Sequence, residues 1–360
     1  MKYILATLLI CSAFAGQMAQ AKDRITGFVL RGDTSGAVGQ RNHFDNPNGA
    51  NWGTSVDGIV VQVEWAHLQT TKDGEITSNN VIDQAITAVT QWNDAHPNNK
   101  LGIKLRVFAG IYSPAWVGKE TGQFYAQYKN GKEGYLPFFW KSKLFRPLWN
   151  TFQTKLAAKY DGNPLIREVA VSGCMTHNAE TMWRNPNDNN RDDGRKNIDI
   201  MRDNGLTLAK DENCLEWEIR IAANKWKNTH IGMAYNMWKD YENGWALKPE
   251  FVNSLMDYCL AQAPGRCVLG NNSLGLADIG DETSRNDVTY YLRQKGGAGN
   301  PIYIQTETVA DDIHVAINHG ADRLHAAMAE LPKLSAMAKV SPTYLQGTNM
   351  QDARQNLKGN

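Results

Sequence analysis

A short apolar segment that ends in a carboxylate is the stretch of the sequence best suited to chemistry. It reads Pro301-Ile302-Tyr303-Ile304-Gln305-Thr306-Glu307. The alternation predicts a buried strand with Ile302 and Ile304 on one face and Tyr303, Gln305 and Glu307 on the other. At the carboxyl end of a strand in a parallel barrel, a glutamate points into the barrel mouth, where barrel enzymes hold their reactive groups. Glu307 is therefore predicted to be catalytic; the alternative is a carboxylate paired with a basic residue inside the barrel.

A second predicted strand also carries an acid on its inward face. In the segment VVQVEW, which ends at Trp65, the apolar residues share one face and leave Glu64 on the other. Lys104 and Arg106 alternate with apolar residues on the next strand, so they too are predicted to point inward. We expect a buried ion pair between Glu64 and Arg106, because buried charges are normally paired. The alternative is that Glu64 contacts a substrate or acts together with Glu307.

The elements that position these acids alternate regularly along the chain. The predicted strands are residues 25–30, 58–65, 101–111, 166–174, 230–236, 267–272, 301–307 and 321–326. The predicted helices are residues 81–95, 145–160, 214–227, 249–261, 286–295, 311–318 and 332–339. This pattern predicts an α/β protein whose residues 22–360 form a single (β/α)8 TIM barrel.

Two predicted connections are longer than a barrel requires. Residues 112–143, after the third strand, are rich in aromatic side chains, and residues 175–212, after the fourth, are rich in Asp and Asn. Aromatic faces near a cleft suit sugar rings, whose C–H faces stack on them while the hydroxyls bind polar groups. Trp116 and Trp183 are therefore predicted to contact substrate. Alternatively, each ring packs its own loop against the barrel.

With these features the chain resembles the clan of retaining (β/α)8-barrel glycoside hydrolases. In that clan the nucleophile is a glutamate at the end of strand seven, which Glu307 matches through the sequence IYIQTE. The acid/base glutamate follows strand four and usually comes directly after an asparagine. Glu180, at the end of the sequence SGCMTHNAE, matches this position more loosely, because Asn178 is displaced by one residue. The segment RVFAGIYSPAW after strand three is also similar to the clan.

The resemblance implies a hydrolase that cleaves O-glycosidic bonds of a neutral poly- or oligosaccharide. Acetal cleavage needs a proton for the leaving oxygen and a nucleophile at the anomeric carbon, and two carboxyl groups can divide these roles. The two groups are about 5–5.5 Å apart in retaining enzymes and about 6.5–9.5 Å apart in inverting ones. For Glu180 the alternative is a solvated loop acid. For the whole chain, the alternatives are a barrel that binds glycans without cleaving them and a lyase or isomerase with Glu307 as base.

Further candidates for substrate contact lie near the predicted strand ends. They are His177, Asn178, Asn236, Trp238, Asn271 and Asn272. His177 and Asn178 lie just before Glu180 and could bind a sugar hydroxyl or orient its carboxylate. Alternatively, they satisfy backbone groups of the loop. The other four are predicted from position alone, at or just beyond the ends of strands five and six.

The amino-terminal residues and the cysteines predict an exported protein. Residues 1–21 combine a lysine, an apolar run and a small-residue ending, which is typical of a secretory signal peptide, so the mature chain is predicted to be secreted or periplasmic. Four cysteines follow it, and an even number in an oxidising compartment favours disulfides. Cys259 and Cys267 flank a Pro-Gly turn and are predicted to pair, as are Cys174 with Cys214.

Charge and motifs exclude several classes of partner. The 38 Lys and Arg residues nearly balance the 37 Asp and Glu residues, which gives no reason to expect binding to nucleic acid or to an anionic membrane. After the first 21 residues, no apolar run approaches the roughly 20 residues that span a bilayer. Phosphate-binding glycine loops and His pairs at metal spacing are missing from the sequence, so no cofactor and no metal are predicted. The expected partner is a carbohydrate, and the oligomeric state is left open.

Overall fold

The protein, described here as a computed structural model, is built around a closed barrel of eight parallel strands. The structure describes residues 21–31, 52–180, 184–185, 187–274, 288–306, 313–333 and 343–360. Barrel strands that follow one another along the chain are neighbours in the barrel, and the last pairs with the first to close it. Helices surround this barrel, and the predicted (β/α)8 TIM barrel is therefore confirmed.

The bounds of the elements are as follows. The barrel strands are β1 Gly27–Arg31, β2 Gly58–Glu64, β3 Gly102–Phe108, β6 Ile166–Ala170, β7 His230–Ala234, β10 Cys267–Leu274, β11 Ile302–Thr306 and β12 Ala326–Lys333. Outside the barrel are the hairpins β4 Gln123–Gln127 with β5 Glu133–Pro137, and β8 Lys239–Asp240 with β9 Ala246–Leu247. The α-helices are α1 Trp65–Leu68, α2 Val81–Ala95, α3 Ala115–Thr121, α4 Ser142–Tyr160, α5 Asn197–Asp203, α6 Leu208–Lys225, α7 Pro249–Gln262, α8 Val288–Gly297, α9 Ile313–Leu324 and α10 Thr348–Gly359.

Strand alternation divides the apolar residues into two clusters. Ile302 and Ile304 belong to the large cluster between the barrel and its helices, as their shared face predicts. Tyr303 belongs to a separate small cluster inside the barrel. The other members of that inner cluster are Ile25, Val29, Val60, Val268 and Met328. The inside of the barrel is therefore a packed core at this level and not a pore.

The predicted eighth strand is wrong in position. Residues 321–324 end the helix α9, because Ile313, Ile317, Ala321 and Leu324 recur at helical spacing and all are buried. His325 then adopts a left-handed backbone conformation with φ of 54°, and the strand β12 begins at the next residue.

The predicted helix over residues 332–339 is also wrong at its start. Pro332 lies in the strand β12, at a register shift against β1 where Leu30 pairs with Leu331 and Arg31 with Lys333. A proline, which has no backbone N–H, is tolerated at such an irregularity. Residues 334–339 lie outside the described part of the chain.

The last helix, α10, was not predicted; its Arg354 binds Asp57 through two hydrogen bonds of 2.8 and 2.9 Å.

Both predicted disulfides are present. Cys174 and Cys214 join the segment after β6 to the helix α6, with Cα atoms 6.0 Å apart. Cys259 and Cys267 join the helix α7 to the start of β10, with Cα atoms 5.8 Å apart. Disulfides are typical of oxidising compartments. Among the helices of the described segments, none is long and apolar enough to cross a membrane.

The two long connections contain structure of their own. After β3, the chain forms the helix α3 and the β4–β5 hairpin before it reaches α4. After β6, it forms an irregular segment and the short helix α5 before α6. The starts of the two connections are hydrogen-bonded to each other, because the backbone amide of Ile111 donates to the carbonyl of Thr176 at 2.9 Å. Gly110 allows this approach, since a Cβ atom there would lie 1.9 Å from the Thr176 oxygen.

Candidate active site

A layer of buried charged side chains lies inside the barrel, next to the inner apolar cluster. Lys104 of β3 lies 2.5 Å from Glu168 of β6 and 2.7 Å from Glu330 of β12. Arg106, two residues further along β3, donates to both carboxylate oxygens of Glu330 at 2.7 and 2.6 Å. Two cations beside Glu330 outweigh the effect of its burial and lower its pKa to about 2. The prediction that Lys104 and Arg106 point inward is confirmed, but the expected carboxylate partner of Arg106 is wrong: it is Glu330 and not Glu64.

Small local features make room for this layer. The register between β3 and β6 shifts after Ile103, so that Lys104 pairs with Glu168, and the bulge turns Glu168 into the barrel. At Gly232 a Cβ atom would lie 2.2 Å from the Glu168 carboxylate. At Gly270 a Cβ atom would lie 2.0 Å from the ring of Tyr303. Both glycines are therefore required by the side chains of the neighbouring strands that lie against them.

Tyr303 joins the charged layer to the barrel mouth. The ammonium group of Lys104 lies 3.3 Å from the centre of its ring, a close cation–π contact. Its hydroxyl donates to the Asn272 side chain at 3.3 Å. Next along β11, on the same face, Gln305 donates to the Asn272 carbonyl at 3.1 Å. The inward face predicted for Tyr303 and Gln305 is therefore oriented toward the end of β10.

The carboxyl group of Glu180 lies at the mouth of the barrel, above this layer. Asn236, two residues after β7, donates to it at 2.8 Å, and Asn272 of β10 also forms a hydrogen bond with it. The guanidinium groups of Arg106 and Arg31 are close enough to influence it. Burial raises the pKa of Glu180 above its usual range, against the lowering effect of Arg106, the two amides and Arg31. The loop glutamate thus forms hydrogen bonds with residues at the carboxyl ends of β7 and β10 and is not a solvated loop acid.

The segment that carries Glu180 is anchored on both sides. Before it, the Cys174–Cys214 disulfide ties the chain to α6, and the amide of Cys174 donates to Glu218 at 2.7 Å. After it, Arg184 forms a buried ion pair with Asp211 at 2.8 Å and donates to the Cys174 carbonyl at 2.7 Å. These anchors explain how a residue well beyond the end of its strand is held in the mouth.

His177 and Asn178 connect the two long loops. The imidazole of His177 is buried, stacks on Tyr128 with ring centres 3.7 Å apart, and lies 3.0 Å from the Asp188 carboxylate. Burial lowers its pKa below the usual value. The side chain of Asn178 accepts a hydrogen bond from Lys132 at 2.9 Å. In these contacts both residues hold the loop segment before Glu180.

The remaining candidates occupy different environments. Glu64 ends β2 with its side chain 31% exposed and lies 3.8 Å from His67. Asn271 is half-buried in β10, on the opposite face to Asn272. The ring of Trp116 packs edge-on against Trp65, 5.6 Å between ring centres.

Trp238 has no exposed surface and packs against Phe251 and Tyr241. The structure therefore brings Asn236 to Glu180, whereas Trp238 is not brought to the cleft. Glu307 and Trp183 lie outside the described residues; β11, which leads to Glu307, ends at Thr306.

Two residues near Glu180 were missed as site residues, namely Arg31 and Tyr303. Glu330, the partner of Arg106, was missed as well. The signal for Tyr303 was present, because it shares the inward face of its strand with Glu307. Glu330 could have been found only with the correct bounds of the last strand. Arg31 ends β1, and its Nε donates to the Leu331 carbonyl at 2.8 Å. Burial lowers its pKa to about 10 despite the nearby carboxylates.

Several solved structures with a similar barrel are glycoside hydrolases. A trimodular endoglucanase of subfamily GH5_4 aligns with a TM-score of 0.50 and 10% identity over 92% of this chain, which spans 60% of that protein. A family 30 xylanase from Clostridium acetobutylicum aligns with a TM-score of 0.46 and 10% identity, over 88% of this chain and 66% of the xylanase. A β-1,4-mannanase from Cryptopygus antarcticus aligns with a TM-score of 0.45 and 13% identity, over 95% of this chain and 94% of the mannanase. No protein-family model and no curated protein matches the sequence. The resemblance to barrel glycoside hydrolases is confirmed at the level of the fold.

Proposed function

We propose that the protein is a glycoside hydrolase that cleaves a neutral poly- or oligosaccharide by a retaining mechanism, with Glu180 as acid/base and Glu307 as nucleophile. The observation that carries the proposal is the environment of Glu180. Its carboxyl group lies at the barrel mouth, bonded to Asn236 and Asn272, with a pKa raised by burial. A raised pKa keeps a carboxyl group protonated closer to neutral pH, as a general acid requires.

Each residue has a definite task in the proposed reaction. Glu180 donates its proton to the leaving glycosidic oxygen, and Glu307 attacks the anomeric carbon to form a glycosyl ester. The leaving chain departs with that proton. Glu180, now ionised, removes a proton from a water molecule that hydrolyses the ester and so regains its own proton. Asn236 holds the Glu180 carboxyl group throughout.

The charges around Glu180 favour a state in which one of the two carboxyl groups, Glu180 and Glu307, is protonated and the other is ionised. Lys104, Arg106 and Arg31 supply three positive charges, and Glu168 and Glu330 supply two negative charges. One further negative charge therefore neutralises the group. An ionised Glu307 and a protonated Glu180 meet this balance, and this is the state needed to begin the reaction.

Export belongs to the same proposal. The signal-like sequence of residues 1–21 and the two disulfides favour a secreted or periplasmic enzyme, where polymeric glycans are accessible. The expected test is processing near residue 21 in the exported protein, measured by amino-terminal sequencing. An uncleaved amino terminus would contradict it.

The decisive experiment compares leaving groups. Wild type, Glu180→Ala and Glu307→Gln are assayed on soluble glycans and on matched aryl glycosides with good and poor leaving groups. Loss of a general acid lowers activity about 10²–10⁴-fold when the leaving oxygen needs a proton, and far less with a dinitrophenyl leaving group. Glu307→Gln is expected to abolish activity on both. Glu75→Gln, at a side chain 82% exposed, is the matched control.

The outcomes separate the two roles. Azide should restore turnover of the Glu180→Ala variant and yield a glycosyl azide with retained configuration, because the small anion enters the space of the lost carboxylate. Equal losses with both leaving groups would contradict the acid role of Glu180. Full activity in Glu307→Gln would overturn the assignment of the nucleophile. Glycan binding without hydrolysis by wild type would favour the non-catalytic barrel.

A further inference from the structure

The β4–β5 hairpin carries two neighbouring exposed tyrosines. Tyr125 and Tyr135 are directly opposite each other in the antiparallel register, and their ring centres are 5.2 Å apart. Tyr125 is 40% exposed and Tyr135 is 58% exposed. Large exposed rings at adjacent positions are unusual on a protein surface and mark a binding surface more often than isolated ones.

Polar side chains continue the same face of the hairpin. Gln127 is opposite Glu133, two pairs further along, and strand alternation places this pair on the side of the tyrosines. The Gln127 amide donates to Glu133 at 3.4 Å, and Glu133 also accepts from the Tyr125 hydroxyl. We call Tyr125, Gln127, Glu133 and Tyr135 the tyrosine strip. It combines flat apolar faces with amide, hydroxyl and carboxylate groups, the combination that suits sugar rings and their hydroxyls.

The hairpin holds the strip on a fixed support. On its other face, Ala126 and Leu136 are fully buried. Its outer strand is covered by the second long loop, where Asn190 and Asn197 donate to the Gln127 carbonyl at 3.1 and 2.7 Å. A surface that is already ordered loses little conformational freedom when it binds a ligand.

The hairpin is also joined to the segment that carries Glu180. Tyr128, at the end of the strip's strand, stacks on His177, and Lys132 in the other arm donates to Asn178. The strip itself belongs to a separate two-stranded sheet, outside the ring of strand ends that surrounds Glu180. A molecule that contacts both regions therefore extends beyond the ring of strand ends around Glu180.

The charge of the strip favours a neutral molecule. Arg191, which donates to the Tyr125 carbonyl, is paired with Asp193. Glu133 adds a negative charge to the strip face, so a polyanion would be repelled. The exposed rings and the neutral amide remain available to a sugar chain.

We propose that the tyrosine strip binds a distal segment of a neutral polysaccharide whose scissile bond lies at Glu180. This inference rests on the proposed function and adds that the substrate is a polymer bound beyond the catalytic mouth. Stacking on the two rings supplies the contact area, while Gln127 and Glu133 bind hydroxyl groups along the chain.

The test separates binding from hydrolysis. The Glu180→Gln protein and its Tyr125→Ala/Tyr135→Ala derivative are compared by affinity electrophoresis in hydroxyethylcellulose, arabinoxylan and galactomannan. Loss of both rings is expected to weaken polysaccharide binding about tenfold, while replacement of both tyrosines by phenylalanine retains most of it. Leu247→Ala, which removes another exposed apolar side chain, is the control. In the active protein, the alanine pair should lower the ratio of kcat/KM on polymer to kcat/KM on an aryl glycoside by a similar factor.

Different results overturn the two proposals. If the Tyr125→Ala/Tyr135→Ala derivative binds each polysaccharide as tightly as the Glu180→Gln protein does, the proposed role of the tyrosine strip is wrong. It is also wrong if the folded Glu180→Gln protein binds none of the three polysaccharides. Retention of full activity by Glu180→Ala would overturn the proposed function. In that case a loss of polysaccharide binding by the alanine pair would still support the strip.

Discussion

Glu330 and Glu180 occupy the same barrel and have opposite electrostatic environments. Glu330 is fully buried between Lys104 and Arg106, and these two cations hold its pKa near 2. Glu180 lies one layer higher, where its nearest partners are the neutral amides of Asn236 and Asn272, and burial raises its pKa. Two carboxyl groups at adjacent depths of one barrel therefore favour different protonation states.

The difference shows how the barrel separates a structural acid from a reactive one. A carboxylate bound by two cations is stabilised as an anion and has no tendency to take up or release a proton near neutral pH. A partly desolvated carboxyl group held by amides remains able to exchange its proton. The charges of Lys104 and Arg106 are balanced by those of Glu168 and Glu330, so Glu180 is the carboxyl group that remains available for chemistry.

Removal of the structural acid should have the largest effect on stability. Glu330→Gln leaves Lys104 and Arg106 facing a neutral amide, and we expect the free energy of unfolding to fall by about 3–5 kcal/mol. Glu180→Gln should instead raise it at neutral pH, because a desolvated carboxyl group is replaced by an amide. Urea denaturation followed by circular dichroism measures both. Equal stabilities for the two variants would contradict the comparison.

The same pair should respond oppositely to pH. The pKa of Glu330 is about 2 in the folded protein, below its usual 4.5, so its stabilisation is present above about pH 5 and is lost as pH falls toward 2. This single group should account for about 3 kcal/mol of acid destabilisation. The raised pKa of Glu180 has the reverse sign, since its contribution is lost as pH rises through that pKa. The free energies of unfolding of wild type and Glu330→Gln should therefore differ at pH 7 and converge near pH 2. A difference that stays constant with pH would contradict the prediction.

A methyl group at Gly270 tests how tightly the lower layer is packed. It would lie 2.0 Å from the Tyr303 ring and force that ring away from Lys104. We expect Gly270→Ala to lower the free energy of unfolding by about 1–3 kcal/mol. Gly162→Ala is the control, because no atom lies within 4 Å of the added Cβ there. Similar thermal denaturation of the two variants would show that the barrel interior is looser than described.

The smallest effect is expected at the amide that holds Glu180. Asn236→Ala removes a hydrogen bond that lowers the pKa of Glu180, so this pKa should rise further. Because the general acid must be protonated, the alkaline limb of kcat/KM should move to higher pH. The maximal kcat/KM should fall by no more than about tenfold, the effect of one hydrogen bond. A limb that moves to lower pH would contradict the assignment of Glu180 as the acid.

Alternation and helical spacing predicted most of the barrel but not every side chain in it. The two faces of β11 followed from the sequence, because Ile302 and Ile304 are apolar and the intervening residues are not. The inward position of Glu168 did not follow, since it depends on a register shift that no local pattern encodes. The last strand was misplaced because the apolar end of the helix α9 runs directly into the apolar strand β12.

The sequence by itself determined the barrel, both disulfides and the strand that leads to Glu307. These depend on periodicity and on local turns, which act over a few residues. Tertiary structure alone decided that Glu330 and not Glu64 neutralises Arg106, and that Glu180 reaches Asn236 and Asn272. Such pairings depend on strand register and on anchored loops that bring residues from distant parts of the chain together. The protonation state of each acid follows from those neighbours, so it too is a property of the folded barrel.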